Sequence, residues 1–173
     1  MKILVAFATE RGGTEGLADA IGSDLRFRGH DVSVLPASAV SSVLGYDAVI
    51  LGGAIYHGQW HPDAVRCVRT HKADLRSRPT WLFSSGPLDD RAGREHVKPV
   101  AAVRRAVRDC RAQGEITFGG RLMPLPTDTV VEQYKVRHHF GDFRNPVQVM
   151  HWVADIDAAL RESATSKHFA ATG

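Results

Sequence analysis

Cysteines, long apolar runs and blocks of like charge are scarce in this chain of 173 residues, and each shortage excludes a class of protein. The two cysteines, Cys67 and Cys110, are too few for a disulfide framework and lack the spacing of a metal site. No apolar segment approaches the ~18 residues that a membrane-spanning helix needs. Residues 1–8 have too short an apolar stretch for a signal peptide. We therefore expect a cytoplasmic protein with no metal site.

The charges are mixed and only slightly unbalanced. The formal net charge is +3 and the sequence pI is about 9.1, which suits anionic small molecules, acidic partners or a membrane surface. No run of about five like charges, typical of a nucleic-acid-binding tail, occurs. We therefore expect no nucleic acid as a partner, whereas peripheral contact with a membrane is compatible with this charge.

Short apolar runs alternate with amphipathic stretches along most of the chain. The apolar runs predict five strands, at residues 2–8, 31–35, 48–51, 80–83 and 115–118. The helical spacing predicts four helices, at residues 14–28, 62–71, 95–112 and 146–161. This alternation indicates an α/β domain, residues 1–163, whose parallel sheet has helices on both faces, followed by a flexible tail, residues 164–173. Ligands of such sheets bind beyond the carboxyl ends of the strands.

The loop at residues 9–14 follows the first predicted strand. Threonine hydroxyls and a glycine-rich backbone at a helix N-terminus suit a phosphate group. The loop lacks both the G-x-x-x-x-G-K-[ST] pattern of nucleoside-triphosphate loops and the G-x-G-x-x-G dinucleotide fingerprint. The alternative is that Gly12 and Gly13 only form a tight turn and that Thr14 only caps the helix.

The loops at residues 54–61 and 84–94 follow the third and fourth predicted strands. Tyr56 and Trp60 offer large aromatic faces on which a flat ligand could stack; the alternative for Trp60 is burial in the core. His57 and His61 are four residues apart but have no Cys, Asp or Glu at matching spacing, so no metal site is expected. Together the loops predict a planar ligand that carries one phosphate, flavin mononucleotide (FMN).

Residues 2–18, 46–61 and 78–85 resemble the flavodoxin-like superfamily, and most of all its branch of menaquinone-dependent protoporphyrinogen dehydrogenases. The marks of this resemblance are Thr9…Gly12…Thr14, the pair Tyr46-Asp47, and Gly52…Ala54-Ile55…Gly58…His61. The resemblance implies a three-layer sandwich whose five-stranded parallel sheet has the strand order 2-1-3-4-5. It also implies FMN as the cofactor.

The resemblance, together with the loop positions, assigns candidate residues to the site. For the FMN phosphate they are Thr9, Glu10, Arg11, Gly12, Gly13 and Thr14. Beside the isoalloxazine they are Ala54, Ile55, Tyr56 and Gly58 on one side and Ser85, Gly86, Pro87 and Leu88 on the other, with Trp60 added from its aromatic ring. Candidate substrate contacts, by loop position only, are His57, His61 and Arg121. No side chain is assigned as a catalytic acid or base.

Two functions fit these residues. One is an FMN-dependent oxidoreductase that transfers two electrons with a small-molecule substrate such as protoporphyrinogen IX or a quinone. The other is a flavodoxin-type electron carrier that serves a redox protein partner and has no substrate of its own. Carriers are typically acidic, whereas this chain is net positive and has Arg91, Arg94, His57 and His61 in the loops near the ring. The charge therefore favours the enzyme.

The predicted helix at residues 95–112 carries an arginine stripe opposite its apolar face, at Arg104, Arg105, Arg108 and Arg111. The stripe could meet an acidic protein, an anionic lipid or a nucleic acid. The alternative is a solvated outer face of a helix that covers the sheet, and the lack of interleaved aromatic side chains argues against nucleic acid.

Overall fold

The computed structural model of the chain describes residues 1–124, 128–129 and 140–171, with side chains up to residue 165. Its strands are β1 (Lys2–Ala8), β2 (Asp31–Pro36), β3 (Ala48–Tyr56), β4 (Gln59–Trp60), β5 (Thr80–Gly86), β6 (Gly114–Gly119), β7 (Arg121–Leu122) and β8 (Gly141–Asp142). The five long strands form a parallel sheet in the order β2-β1-β3-β5-β6. Counted among the long strands alone, this is the predicted order 2-1-3-4-5, which is confirmed.

Helices cover both faces of the sheet, as predicted. They are α1 (Gly13–Phe27), α2 (Pro62–Thr70), α3 (Lys72–Arg76), α4 (Arg91–Arg94), α5 (Ala101–Cys110) and α6 (Pro146–Ala171). The apolar sides of α1 and α6 pack on one face of the sheet, around Phe83 and Phe118. The apolar sides of α2, α3 and α5 pack on the other face, around Leu51 and Leu82. Each face thus has its own core, and the result is a three-layer sandwich.

Both cysteines lie in the second of these cores, Cys67 on α2 and Cys110 on α5. Burial raises the pKa of each thiol to about 11. A thiol with such a pKa stays protonated at neutral pH, so both side chains act as small apolar residues.

Strand β3 continues through Gly52 and Gly53 to Tyr56, so the prediction that it ends at the glycine pair is wrong. The two glycines are needed for packing and not for a turn. A Cβ on Gly52 would overlap the ring of Phe83, and a Cβ on Gly53 would stand 2.7 Å from Nε1 of Trp60. The absence of side chains here lets aromatic rings pack directly on the strand.

Helix α5 begins at Ala101, and the prediction of a helix from residue 95 is wrong in its first turn and a half. Pro99 is the reason, because proline disfavours the helical conformation of the residue before it and cannot donate a backbone hydrogen bond. Residues 95–100 have no regular structure, and the short helix α4 precedes them. This segment therefore lies beside the carboxyl ends of the strands.

Helix α6 extends well past the predicted end near residue 161, and its backbone is helical to Ala171. The domain boundary at residue 163 and the flexibility of the tail stay predictions. Asp157 fixes the middle of α6 to the turn between α1 and β2, since it pairs with His30 at 2.8 Å. Its second partner, Arg161 at 2.9 Å, lies one turn further along α6. Burial alone would raise the pKa of Asp157, but the hydrogen bonds from Arg161 and His30 outweigh it and hold the pKa below its usual value.

None of the helices within the described part of the chain is both long and apolar enough to span a bilayer.

Candidate functional site

The carboxyl ends of β1, β3 and β5 open into one cavity of about 810 Å³, a size within the range of ~300–1,000 Å³ usual for ligand pockets. The three predicted loops meet there. Of the candidate residues, the following line the cavity: Thr9, Glu10, Arg11, Gly13, Thr14, Ala54, Ile55, Tyr56, His57, Ser85, Gly86, Pro87, Leu88 and Arg121. The loops that were predicted to form the site therefore share one cavity, and the role of each residue in binding stays a prediction.

At one end of the cavity, the start of α1 presents groups that suit an anion. Gly12 precedes the helix with φ 75° and ψ −3°, in the left-handed region that glycine adopts without strain, and no described side chain caps the helix. The N–H groups of residues 13–15 consequently have no partner inside the helix. The hydroxyls of Thr9 and Thr14 are buried without a hydrogen-bond partner among the described residues. Buried polar groups are normally satisfied, so these donors and hydroxyls fit a phosphate group.

Arg11 lies beside this end of the cavity and is held by an acidic side chain. Its two terminal nitrogens donate to the carboxylate of Asp128 at 2.8 and 2.9 Å, in a two-pronged geometry. Asp128 is 117 residues away from Arg11 along the chain, and nothing in the sequence indicated that it would contact this loop. Part of the charge that Arg11 would offer a phosphate is therefore balanced by Asp128.

Tyr56 connects the two ends of the cavity. Its hydroxyl accepts a hydrogen bond from the backbone N–H of Glu10 at 3.1 Å, so the side chain spans from the end of β3 to the phosphate loop. Its ring stands edge-on to His61, with ring centroids 6.2 Å apart. The partly buried ring thus forms a fixed wall of the cavity, as expected for a stacking residue.

The tip of the second loop is a two-residue hairpin turn between β3 and β4. His57 and Gly58 both have positive φ, at 49° and 73°, and the flanking pair Tyr56↔Gln59 closes the hairpin. Two successive residues of positive φ define the turn type that suits the twist of a hairpin. His57 lines the cavity, whereas Gly58 lies at the exposed tip and outside the lining, so its predicted place beside the ring is not observed.

Trp60 and His61 do not face the cavity. Trp60 is only 2 % exposed and donates its Nε1 proton to the carbonyl of Gly53 at 3.1 Å. The expectation that it stacks on the ligand is wrong, and the alternative of burial in the core is confirmed. The cause is Gly53, which leaves room for the indole on the strand. His61 is 9 % exposed and caps α2, since its Nδ1 accepts from the N–H of Asp63 at 3.2 Å. It does not line the cavity, and its contact with a substrate stays a prediction.

Sequence reasoning missed the wall that the segment before α5 contributes. Val97, Lys98 and Val100 line the cavity, together with Asp89 and Arg91. The missed signal was Pro99, which ends the predicted helix and leaves residues 95–100 near the strand ends. Asp89 accepts hydrogen bonds from Arg91, at 2.9 and 3.0 Å from the side chain, and these hold the pKa of its carboxyl below the usual value.

Basic side chains exceed acidic ones around the cavity. The basic residues are His57, Arg91, Lys98 and Arg121, in addition to Arg11, and the acidic ones are Glu10 and Asp89. Asp89 is bonded to Arg91 and Asp128 to Arg11, while Asp142 is shared between Arg121 and Arg144. With these partners included, the five cations Arg11, Arg91, Lys98, Arg121 and Arg144 stand against the four carboxylates Glu10, Asp89, Asp128 and Asp142, so the local excess is one positive charge. A negative charge inside the cavity would therefore be stabilised.

A doubly covered parallel sheet with an anion-binding first loop and an aromatic wall at its carboxyl edge defines a flavodoxin-like flavoprotein. A family model described as a flavodoxin domain matches residues 4–123, which is more than half of the chain. The chain belongs to the flavodoxin domain family. It is a flavodoxin-type redox protein.

Relatives in sequence are more specific but cover less of the chain. It is 29 % identical over 86 residues to proteins of Escherichia coli named protoporphyrinogen IX dehydrogenase [quinone], from strain K12 and from strain O157:H7. The matched part is 49 % of this chain and 48 % of the relatives. The chain thus matches about half the length of these curated relatives.

Solved structures agree with the fold. A cysteine-to-serine variant of flavodoxin from Pseudomonas aeruginosa superposes with a TM-score of 0.57 at 15 % identity, over 93 % of this chain and 99 % of that one. Oxidised flavodoxin 2 from Bacillus cereus gives 0.54 at 20 % identity, over 94 % and 99 %. At such identities the likeness establishes the fold alone.

FMN is the cofactor that family membership implies, and the residues fit it. The unpartnered hydroxyls of Thr9 and Thr14 and the uncapped start of α1 suit its phosphate, while Ile55, Tyr56 and Leu88 supply the apolar walls that a flat ring system needs. Bound FMN supplies electron transfer, and the protein orients the ring and sets its potential.

Proposed function

We propose that the protein is an FMN-dependent oxidoreductase that transfers electrons in pairs between FMN and a small, hydrophobic, anionic substrate or a quinone. Protoporphyrinogen IX is the first compound to test, because the E. coli relatives are named for it. The observation that carries the proposal is the positive excess around the cavity, to which Lys98 contributes a charge that has no acidic partner among the described residues.

The charge matters for the number of electrons transferred. A cation about 6 Å from a negative charge stabilises it by roughly 3 kcal/mol at an effective dielectric of 20, and salt reduces this where the cation is exposed. Such a cavity favours the fully reduced, anionic form of the cofactor. The second electron is then added as easily as the first, which suits an enzyme of two-electron chemistry rather than a single-electron carrier.

The residues that line the cavity support a second molecule beside the cofactor. Apolar side chains of Val97 and Val100 stand on the wall that the segment before α5 adds, and Lys98 lies between them in sequence. An apolar wall with an ammonium group suits a hydrophobic compound that carries a carboxylate. Lys98 is the residue of this wall that we propose to contact the substrate's acidic group.

The decisive experiment is a potentiometric titration of the FMN-loaded protein under anaerobic conditions. We expect a single transition of two electrons, together with turnover of protoporphyrinogen or of an artificial quinone. Lys98→Gln should raise the KM for an acidic substrate and leave the KM for a neutral quinone unchanged. Two well-separated one-electron transitions without turnover would contradict the proposal and favour the electron carrier. We also propose that the substrate is a small molecule and not a redox protein. Contact with a membrane is a further proposal.

A further inference from the structure

The outer surface of the layer formed by α2, α3 and α5 is strongly basic. Eight basic side chains are exposed on these helices and on the residue that follows α5; they are Arg66, Arg69, Lys72, Arg76, Arg104, Arg105, Arg108 and Arg111. We call these eight side chains the basic face. The same helices contain three acidic residues, Asp63, Asp74 and Asp109, so this layer has an excess of five positive charges.

The helices on the other face of the sheet have the opposite charge. In α1 with the residue that follows it, and in α6 up to residue 165, six acidic residues stand against three basic ones. The acidic ones are Glu15, Asp19, Asp24, Asp155, Asp157 and Glu162, and the basic ones are Arg26, Arg28 and Arg161. The formal net charge of +3 is therefore spread unevenly, and the two sides of the sandwich would orient the molecule in front of a charged surface.

The basic face is one continuous surface. Lys72, at the start of α3, donates from Nζ to Oδ1 of Asp109 on α5 at 2.7 Å, and Nε of Arg105 stands 3.7 Å from the other oxygen of this carboxylate. The inner sides of α2, α3 and α5 share one core. Because α5 directly follows Val100, which lines the cavity, one end of the basic face meets the rim of the cavity.

Most of the cations on this face are not balanced. Three of the eight have an acidic partner within 4 Å; among the described residues, no such partner exists for Arg69, Arg76, Arg104, Arg108 and Arg111. Arg104 and Arg108 are four residues apart on α5, where like charges destabilise a helix. The first turn of α5 also has no acidic residue, although the helix dipole favours one there. Cations that folding disfavours indicate a surface for an anionic partner.

The basic face has almost no apolar side chain that could anchor a folded protein. Val65, which is 40 % exposed, is the one large apolar residue exposed on α2, α3 and α5. Protein–protein interfaces are usually centred on buried aromatic or aliphatic residues. Adsorption to an anionic bilayer needs only basic side chains close to its surface, and each of them adds to the attraction. The face therefore suits lipid headgroups better than a folded protein.

We propose that the basic face binds the surface of a bilayer that contains anionic phospholipids. The phosphate groups of such lipids pair with the unbalanced arginines, while the acidic layer of α1 and α6 is turned away from the membrane. The rim of the cavity then lies near the lipid surface. The inference does not depend on the cofactor or on the substrate proposed above, because none of the eight side chains lines the cavity.

The test is cosedimentation of the purified protein with vesicles at low and high salt. The vesicles consist of phosphatidylcholine alone or of phosphatidylcholine mixed with phosphatidylglycerol. The test variant combines Arg69→Gln on α2 with Arg108→Gln on α5. The matched control combines Arg94→Gln with Arg161→Gln, which removes the same charge from side chains that are 76 % and 63 % exposed outside the basic face. A third variant, Arg69→Lys with Arg108→Lys, retains the charge.

We expect the wild type to bind the anionic vesicles at low salt, to leave them at high salt because ions screen the attraction, and to ignore the neutral ones. The glutamine variant should lose about tenfold or more in its partition onto anionic vesicles. The control and the lysine variant should stay within about threefold of the wild type, since screening limits the reach of distant charges. The Tm of the glutamine variant should lie within about 3 °C of the wild type, because neither arginine has an acidic partner to lose.

Three results would overturn the proposal. Equal binding of the wild type to neutral and anionic vesicles, or none to either, would show that the face does not act on lipid charge. An equal loss in the matched control would assign the attraction to net charge and not to this face. Poly-glutamate serves as the probe for an acidic protein. If the wild type binds poly-glutamate but not the vesicles, and the glutamine variant binds it more weakly, the partner is an acidic protein and not a membrane.

Discussion

The phosphate end of the cavity is formed mainly by one continuous loop, residues 9–14, whereas the ring end is assembled from two separate parts of the chain, the end of β3 and the segment between β5 and α5. At the phosphate end, glycine backbone and small hydroxyls are placed by the start of α1 itself. At the ring end, Tyr56 meets Leu88 and Lys98 only because β3 and β5 are neighbours. The phosphate end therefore suits one chemical group, a phosphate. The residues of the ring end are free to differ between proteins of one fold, and they determine which substrate is bound.

The largest effect should follow from removing both threonine hydroxyls of the phosphate end. In Thr9→Ala together with Thr14→Ala, two hydrogen bonds to a charged group are lost at ~1.5–3 kcal/mol each. FMN affinity should thus fall by at least about a hundredfold, with little change for riboflavin. Flavin fluorescence titration of the apoprotein measures both, and Thr14→Ser, which retains the hydroxyl, is the control.

The apoprotein of the double variant sharpens this prediction. Both hydroxyls are buried without a partner among the described residues, so their removal should leave the free energy of unfolding of the apoprotein unchanged or slightly raised. If the apoprotein is destabilised by as much as FMN binding is weakened, the threonines hold the loop together and do not bind phosphate.

The ring end is tested by Tyr56. Replacement by alanine removes the aromatic wall and should cost about 1–3 kcal/mol in affinity, by analogy with base–aromatic stacking, for FMN and riboflavin alike. Tyr56→Phe keeps the ring and loses only the bond from the N–H of Glu10, which is worth about 0.5–1.5 kcal/mol. A Tyr56→Ala variant that binds both flavins as tightly as the wild type would show that the ring is only a structural wall.

The difference between the phosphate end and the ring end also explains which parts of the site could be predicted from the sequence. The loop at residues 9–14 could be interpreted locally, because Thr9, Gly12 and Thr14 stand next to the strand and helix that orient them. The position of Trp60 could not be interpreted locally, since its burial depends on contact with Gly53 across a hairpin. Lys98 was missed because its place beside the cavity depends on Pro99, which ends the predicted helix and leaves residues 95–100 without regular structure.

A change far from both ends should alter stability and not binding. Asp157→Asn weakens the bonds to His30 and Arg161 and should lower the free energy of unfolding by about 1–2 kcal/mol at pH 7. The pKa of Asp157 is held below its usual value in the folded state, so its contribution is present above the unfolded pKa of about 4 and is lost as the pH falls through the folded pKa.

Urea titrations of the wild type and the Asp157→Asn variant between pH 3 and pH 7 measure this contribution. The two curves of unfolding free energy against pH should lie apart at neutral pH and converge in acid. A constant gap at all these pH values would contradict the role of the carboxylate charge. FMN affinity should be the same in both proteins, because Asp157 does not line the cavity.

The smallest effect is expected at the ring end, from His57→Asn. Asparagine followed by glycine is the favoured pair for a hairpin turn of this type, so the backbone at φ 49° is kept and the imidazole alone is removed. Lys98 and Arg121 remain beside the cavity, so the two-electron midpoint potential should shift by no more than roughly 5–20 mV, the size that an exposed ion pair would give. Potentiometric titration of the FMN-loaded variant beside the wild type measures this shift. A shift well above this range would mean that His57 contacts the flavin and does more than form the turn.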